Sequence, residues 1–226
     1  MATLNIAPFC PRPLTKSEVD NNDIYMAANP GSGDPVEIVG PLRFAQWLLL
    51  TFDAQCHACV ERPRQLTLYH DVVVELDFWT RQHDGSEMFW YIVPEKDVRN
   101  GPTGRVFRDA TLWAEAAQKT GVPLTLVYEH HILQRSQQIA NFFRLLPHAQ
   151  AAHHLPDRTL IRDRVAEFFA HTPLPMTFEQ VEGSLCDLDK ASVRSTLCGF
   201  IHEGVITFDH DLPLDDRTLL TWRSSW

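Results

Sequence analysis

Val72-Val-Val-Glu-Leu-Asp-Phe-Trp79, then Asp84-Gly85, then Met88-Phe-Trp-Tyr-Ile-Val93: these three pieces decide the first half of the chain. In an extended chain, side chains alternate between two faces. Val72, Val74, Leu76 and Phe78 therefore share one face, and Val73, Glu75, Asp77 and Trp79 the other. Asp-Gly is a two-residue hairpin signal. The run after it is almost wholly apolar, as a strand covered on both faces would be. The pattern predicts adjacent antiparallel strands over 72–79 and 88–93. Asp77 lies near the end of the first, and Ile92-Val93-Pro94-Glu95-Lys96 closes the second.

Upstream, Leu42, Ala45, Leu49 and Phe52 fall at helical spacing behind Pro41, a good first-turn residue, so 42–52 reads as a helix. Residues 65–68 read as a short strand. Downstream, 111–119 reads as a helix stopped at Gly121, and 124–128 as a buried strand. Helix, strands, helix and strand in that order predict an α/β fold with a mixed sheet. Residues 1–36 hold Pro8, Pro11, Pro13, Pro30, Pro35 and Gly31-Ser32-Gly33, and read as an irregular N-terminal arm. Beyond residue 136 the texture turns helical. Helices are expected over 137–146, 158–171, 177–185 (opened by the capping box Thr177 with Gln180) and 189–203, then a short strand at 205–208. That is the outline of a winged-helix-like domain. The expected organisation is an arm at 1–36, an α/β domain at 37–136 and a helical domain at 137–226.

The 226 residues are 44% hydrophobic and 22% charged, enough to bury a core. Twenty basic against 29 acidic residues give a net charge of −9, which disfavours binding nucleic acid by bulk electrostatics. Over 138–226 the balance is also acidic, so that domain is expected to bind protein rather than DNA. No stretch has the length and apolarity of a membrane span. The N-terminus lacks the pattern of a signal peptide, and five cysteines make an odd number, so a cytoplasmic protein with reduced thiols is expected.

Cys56-His57-Ala58-Cys59 is a CxxC without a second pair at zinc spacing, and reads as small core residues. His130-His131 and His153-His154 read as a strand exit and a loop, both solvated. The common nucleotide, zinc-protease and hydrolase signatures are absent from the sequence. What remains is Asp77 with Glu95 and Lys96. In metal-dependent nucleases, acids on adjacent strands hold Mg²⁺, and a nearby lysine positions the attacking water. By itself the pattern is weak, and a charged hairpin end explains it equally well.

The surrounding residues add a resemblance. Leu42-Arg-Phe-Ala-Gln-Trp-Leu-Leu-Leu-Thr-Phe-Asp53, the step Val60-Glu-Arg-Pro63 and the pair Asp77-Phe78 resemble the nuclease domain of the TnsA family, endonuclease subunits of heteromeric transposases. Trp113-Ala-Glu-Ala-Ala-Gln118 and Leu126-Val-Tyr-Glu129 resemble the helix and strand that follow the family's lysine. Asn141-Phe-Phe-Arg-Leu-Leu146, Gly204-Val-Ile-Thr-Phe-Asp209 and Leu214-Asp-Asp-Arg-Thr218 resemble parts of its second domain. The likeness spans roughly 40–222. It implies a restriction-endonuclease-like PD-(D/E)xK domain followed by a winged-helix-like one. It also implies Mg²⁺ as cofactor, a TnsB-type transposase and a TnsC-type AAA+ ATPase as partners, and transposon-end DNA within their complex. No membrane is involved.

The catalytic set implied is Asp77, Glu95 and Lys96, with Asp77 as metal ligand. Two positions depart from the family. Arg43 stands where it has a helix glutamate, and Pro94 where it has Glu or Gln. A guanidinium about 5 Å from a dication is repelled by roughly 6–7 kcal/mol at an effective dielectric of ~20. Arg43 is expected instead to pair with Asp77 and fill the metal's place. The expectation is a TnsA-like subunit with a degenerate nuclease site, no bound Mg²⁺ and little or no cleavage. The alternatives are an active Mg²⁺-dependent endonuclease cutting at transposon 5′ ends, and a stand-alone winged-helix regulator.

Overall fold

A computed structural model describes residues 9–68, 72–101, 104–172 and 174–223. The chain divides into two compact units. The first comprises residues up to Tyr25, Glu37–Leu50 and Gln55–Gln134; the second comprises Met26–Val36, Thr51–Ala54 and the chain from Arg135 on.

The expected irregular arm is largely ordered structure where it is described; its residues before Phe9 lie outside the described ones. Helix α1 spans Lys16–Asn21, and strands β1 (Ile24–Ala28) and β2 (Pro35–Val39) form a two-stranded sheet. The many prolines and glycines occupy flanks and the turn rather than the elements, apart from Pro35, which opens β2. Thr15 caps α1: its hydroxyl accepts from the Glu18 N–H at 3.2 Å, and the Glu18 carboxylate accepts from the Thr15 N–H at 2.8 Å.

Helix α2 spans Pro41–Thr51. Phe44 and residues 46–51 are buried, far more than a single stripe, so α2 is covered on most sides in its second half. The sheet of the first unit follows: β3 (Cys56–Glu61), a small pair β4 (Gln65–Thr67) with β5 (Val73–Glu75), then β6 (Phe78–Gln82) and β7 (Glu87–Val93). After a hairpin of β8 (Val98–Gly101) and β9 (Gly104–Phe107) come α3 (Ala110–Thr120), β10 (Leu124–Tyr128) and α4 (Glu129–Gln134). The four-stranded order is β10-β7-β6-β3. β6 is antiparallel to β7, with Phe78 opposite Trp90, and the turn carries Gly85 at φ 84°. β10 runs parallel to β7, with Tyr128 opposite Val93. The sheet is therefore mixed. Trp79, Phe89, Val93, Phe107 and Trp113 centre its core, and Phe9 packs edge-on against Trp79 and Phe89.

Three local expectations are corrected. Residues 72–79 are not one strand: β5 pairs with β4, while β6 pairs with β3 and β7. The break falls at Leu76-Asp77, where the Leu76 N–H donates to Arg64 O and the Asp77 N–H to Trp90 O. The CxxC, expected to be small core residues, lies on β3 with both cysteines only half-buried. His153 ends a helix that does not stop before Pro147.

That helix, α5 (Ser136–His153), opens the second unit. A proline inside a helix removes a hydrogen bond and usually breaks it. Here Leu145, Leu146, Ala149 and Ala152 are buried on both sides of Pro147, and α5 packs along α8, so tertiary contact carries the helix through. Next come α6 (Arg158–His171), β11 (Met176–Thr177), α7 (Phe178–Ser184), α8 (Lys190–His202), β12 (Ile206–Thr207) and β13 (Leu219–Trp222). The last three strands form a small sheet ordered β11-β13-β12. Asp189 caps α8, its carboxylate accepting from the Ser192 N–H at 2.8 Å. Among the described residues, no helix is long and apolar enough to cross a membrane.

Candidate functional site

Asp77 sits at the break between β5 and β6, and its main chain is fixed on both sides. Its N–H donates to Trp90 O at 2.9 Å, and its carbonyl accepts from the Arg62 N–H at 2.9 Å. The side chain is 3% exposed. Arg43 reaches it from the first turn of α2, which starts from Gly40 at φ 81°, a backbone conformation that favours glycine. Arg43 Nε donates to Asp77 Oδ1 at 2.5 Å, and the Ile92 N–H donates to Oδ2 at 2.6 Å. The ion pair expected from the sequence is present, and both carboxylate oxygens are occupied.

The electrostatics are finely opposed. Burial pushes the Asp77 carboxyl above its ordinary range, while Arg43 and the Ile92 N–H pull it back. The neighbouring carboxylate holds the Arg43 guanidinium above its usual value. Arg43 remains 46% exposed, so the cation is the open half of the pair.

A cavity of about 160 Å³ surrounds this pair, lined also by Glu18, Glu61, Arg62 and Glu75. Sequence reasoning missed these four. Arg12 clamps two of them: it bonds Glu18 at 2.6 Å and Glu75 through two of its nitrogens. The Arg12 contact holds the Glu18 carboxyl at about 2. Arg62, at φ 45°, turns its guanidinium inward to the carbonyls of Arg12 and Glu37. Glu61 is buried with Arg62 Nη2 at 3.7 Å, and burial raises its carboxyl. One signal was legible in advance: Thr15-x-x-Glu18 is a capping box, which would have placed α1 and hence Glu18. Nothing local marks Arg12, whose partners are distant in sequence.

Glu95 and Lys96 do not join this group. β7 ends at Val93, and Glu95–Asp97 form a single 3₁₀ turn that follows Pro94. Both side chains are exposed and neither lines the cavity. Glu95 is ion-paired with Arg105, and its N–H donates to the Glu129 carboxylate at 2.8 Å.

Elsewhere, burial raises the Cys59 thiol well above its ordinary value, which suits an inert half-buried residue better than a nucleophile. No group of three or more His, Cys, Asp or Glu among the described residues is arranged to hold a metal ion. Chemically, the Asp77 cavity is a carboxylate neutralised by a tethered cation, ringed by further paired charges. No protein-family model matches the chain, and no curated protein matches its sequence.

Proposed function

We propose that this chain is a TnsA-like subunit of a DNA transposition complex whose nuclease site has been closed by Arg43. It works by contact with a TnsB-type transposase and a TnsC-type AAA+ regulator at transposon ends. The observation that carries the reading is the Arg43–Asp77 ion pair. Asp77 is already neutralised by Arg43 and bonded at both oxygens, and the neighbouring Glu18 and Glu75 are held by Arg12, so the cavity's carboxylates are engaged by cations rather than free for Mg²⁺. The order of sequence likenesses supports the family. The mixed sheet, with Asp77 opening a strand beside β7, is compatible with a restriction-endonuclease-like core.

Two observations weigh against the alternatives. An active endonuclease would need Glu95 beside Asp77, whereas Glu95 pairs with Arg105. A stand-alone winged-helix regulator would need a helix free to enter a groove. Residues 195–201 of α8, the candidate for that role, are buried, and its Arg194 is bonded to Glu182 and Asp216.

The test is a cleavage assay on transposon-end DNA with both partners and Mg²⁺ or Mn²⁺, comparing wild type with Asp77→Ala. No nicking by either is expected, together with retention of the chain by at least one partner. Wild-type cleavage lost in Asp77→Ala would restore the enzyme, and failure to bind either partner would sink the transposition reading.

A further inference from the structure

The second unit contains a cleft of about 300 Å³, bounded by α5, the start of α7, α8 and the segment preceding β13. Leu145, Phe178, Leu214 and the buried Cys198 give it apolar surface. Arg144 and His148 project from α5 four residues apart, hence on the same face. That is the size and mixture of a small-ligand or side-chain pocket: apolar walls with a few convergent polar groups.

The charges in the cleft are unevenly occupied. Arg194 lies over the Phe178 ring at 5.4 Å and is bonded to Glu182 at 2.5 Å and Asp216 at 2.6 Å. Asp215 accepts from the Arg217 N–H at 2.8 Å. Arg144, by contrast, donates one bond to the Leu214 carbonyl at 2.8 Å, and among the described residues it has no carboxylate within ion-pair distance. Burial and the neighbouring Arg194 hold His148 below its ordinary pKa, leaving a neutral imidazole with one N–H to offer.

The far wall is built in advance. Asn141 is fully buried, and its side-chain amide donates to the carbonyls of His210 at 3.0 Å and Leu212 at 2.8 Å. Its oxygen accepts from the Leu214 N–H at 2.9 Å. One side chain thus pins three alternate residues of the segment, so little ordering is left for a ligand to induce.

We propose that this cleft binds a peptide segment of a partner protein, an apolar side chain seated on Leu145, Phe178 and Leu214 and an adjacent carboxylate on Arg144 and His148. A guanidinium that has no acidic partner among the described residues, beside apolar walls, complements that pairing of groups. A polyanion such as DNA suits the cleft less, because Asp215 and Asp216 stand on its rim. The inference goes beyond the transposition reading and its test uses neither cleavage nor transposition.

The experiment follows backbone and His148 ring NMR signals of the full chain during titration with phenylacetate, phenylacetamide, acetate and an N-acetylated, C-amidated Phe-Asp dipeptide. Phenylacetate should saturate in the millimolar range, moving signals of His148, Phe178 and Cys198. Phenylacetamide and acetate should each bind about fivefold more weakly, and the dipeptide more tightly than phenylacetate. Arg144→Gln, a change at an exposed residue, should cost about fivefold for phenylacetate and abolish its preference over the amide, with Arg144→Lys retaining part. Signals outside the cleft that stay unmoved in Arg144→Gln establish that the variant is folded. Equal binding of acid and amide, unchanged affinity in Arg144→Gln, or no shifts in the cleft would overturn the site. Phenylacetate binding without dipeptide binding would overturn the peptide as its occupant.

Discussion

In each unit a buried carboxylate accepts a hydrogen bond from an arginine side chain, and the two arrangements differ in what surrounds the pair. In the second unit Glu182, 3% exposed at its side chain, receives Arg194 through two bonds of 2.5 and 3.0 Å and Lys190 at 3.2 Å. It joins α7 to α8 where helices close around it. In the first unit Asp77 is as deeply buried, yet it receives one bond from a half-exposed arginine and one from a main-chain N–H, beside a cavity. The same chemical pair therefore serves two purposes. Braced by two cations where α7 meets α8, it is a structural joint; held by one half-exposed cation and a main-chain N–H, it is a pair with less to hold it in place.

The largest expected effect breaks the joint. Glu182→Ala removes the acid and leaves Arg194 to Asp216 and water, so we expect a loss of about 2–3 kcal/mol, somewhat below the usual cost of breaking a buried pair because Arg194 can rehydrate. Urea unfolding followed by circular dichroism measures it, and a loss below about 1 kcal/mol would remove the distinction between the two pairs.

Arg43→Ala should cost less, about 1–2 kcal/mol near neutral pH, with a pH signature that Glu182→Ala need not share. The sign follows from linkage. Asp77 has a higher pKa folded than unfolded, so the native state binds its proton more tightly. Stability then falls as pH rises from the unfolded to the folded pKa. Without Arg43 the folded pKa climbs further, so the penalty grows toward neutrality and shrinks on acidification. Unfolding midpoints of wild type and variant at acidic and neutral pH check this; a penalty that grows on acidification would show that Arg43 does not stabilise the ionised carboxylate.

The smallest effect sharpens the comparison. Lys190 is 70% exposed, so its bridge to Glu182 is worth little, and Lys190→Ala should lose no more than about 0.5 kcal/mol. A loss matching that of Glu182→Ala would mean that the lysine, not Arg194, neutralises the buried acid.

By itself the sequence determined what local periodicity and local chemistry encode. The Asp84-Gly85 turn, the capping box at Thr177 and the Gly121 stop each involve residues a few positions apart, whose geometry has few solutions. The Arg43–Asp77 pair was also legible, because a helix that must bury its apolar face against a hairpin brings its first turn to the strand ends. Tertiary structure alone decided the rest. The split of residues 72–79 depends on which strand each half pairs with, and the alternating pattern is identical either way. The passage of α5 through Pro147 depends on burial against α8, which outweighs a lost hydrogen bond. The outward turn of Glu95 is set by Arg105 and Glu129, and the ring of Arg12, Glu18, Glu61, Arg62 and Glu75 by contacts spanning up to 63 residues. Charges so distant in sequence carry no local trace of their partners, since only the folded chain fixes the distances on which their attraction depends.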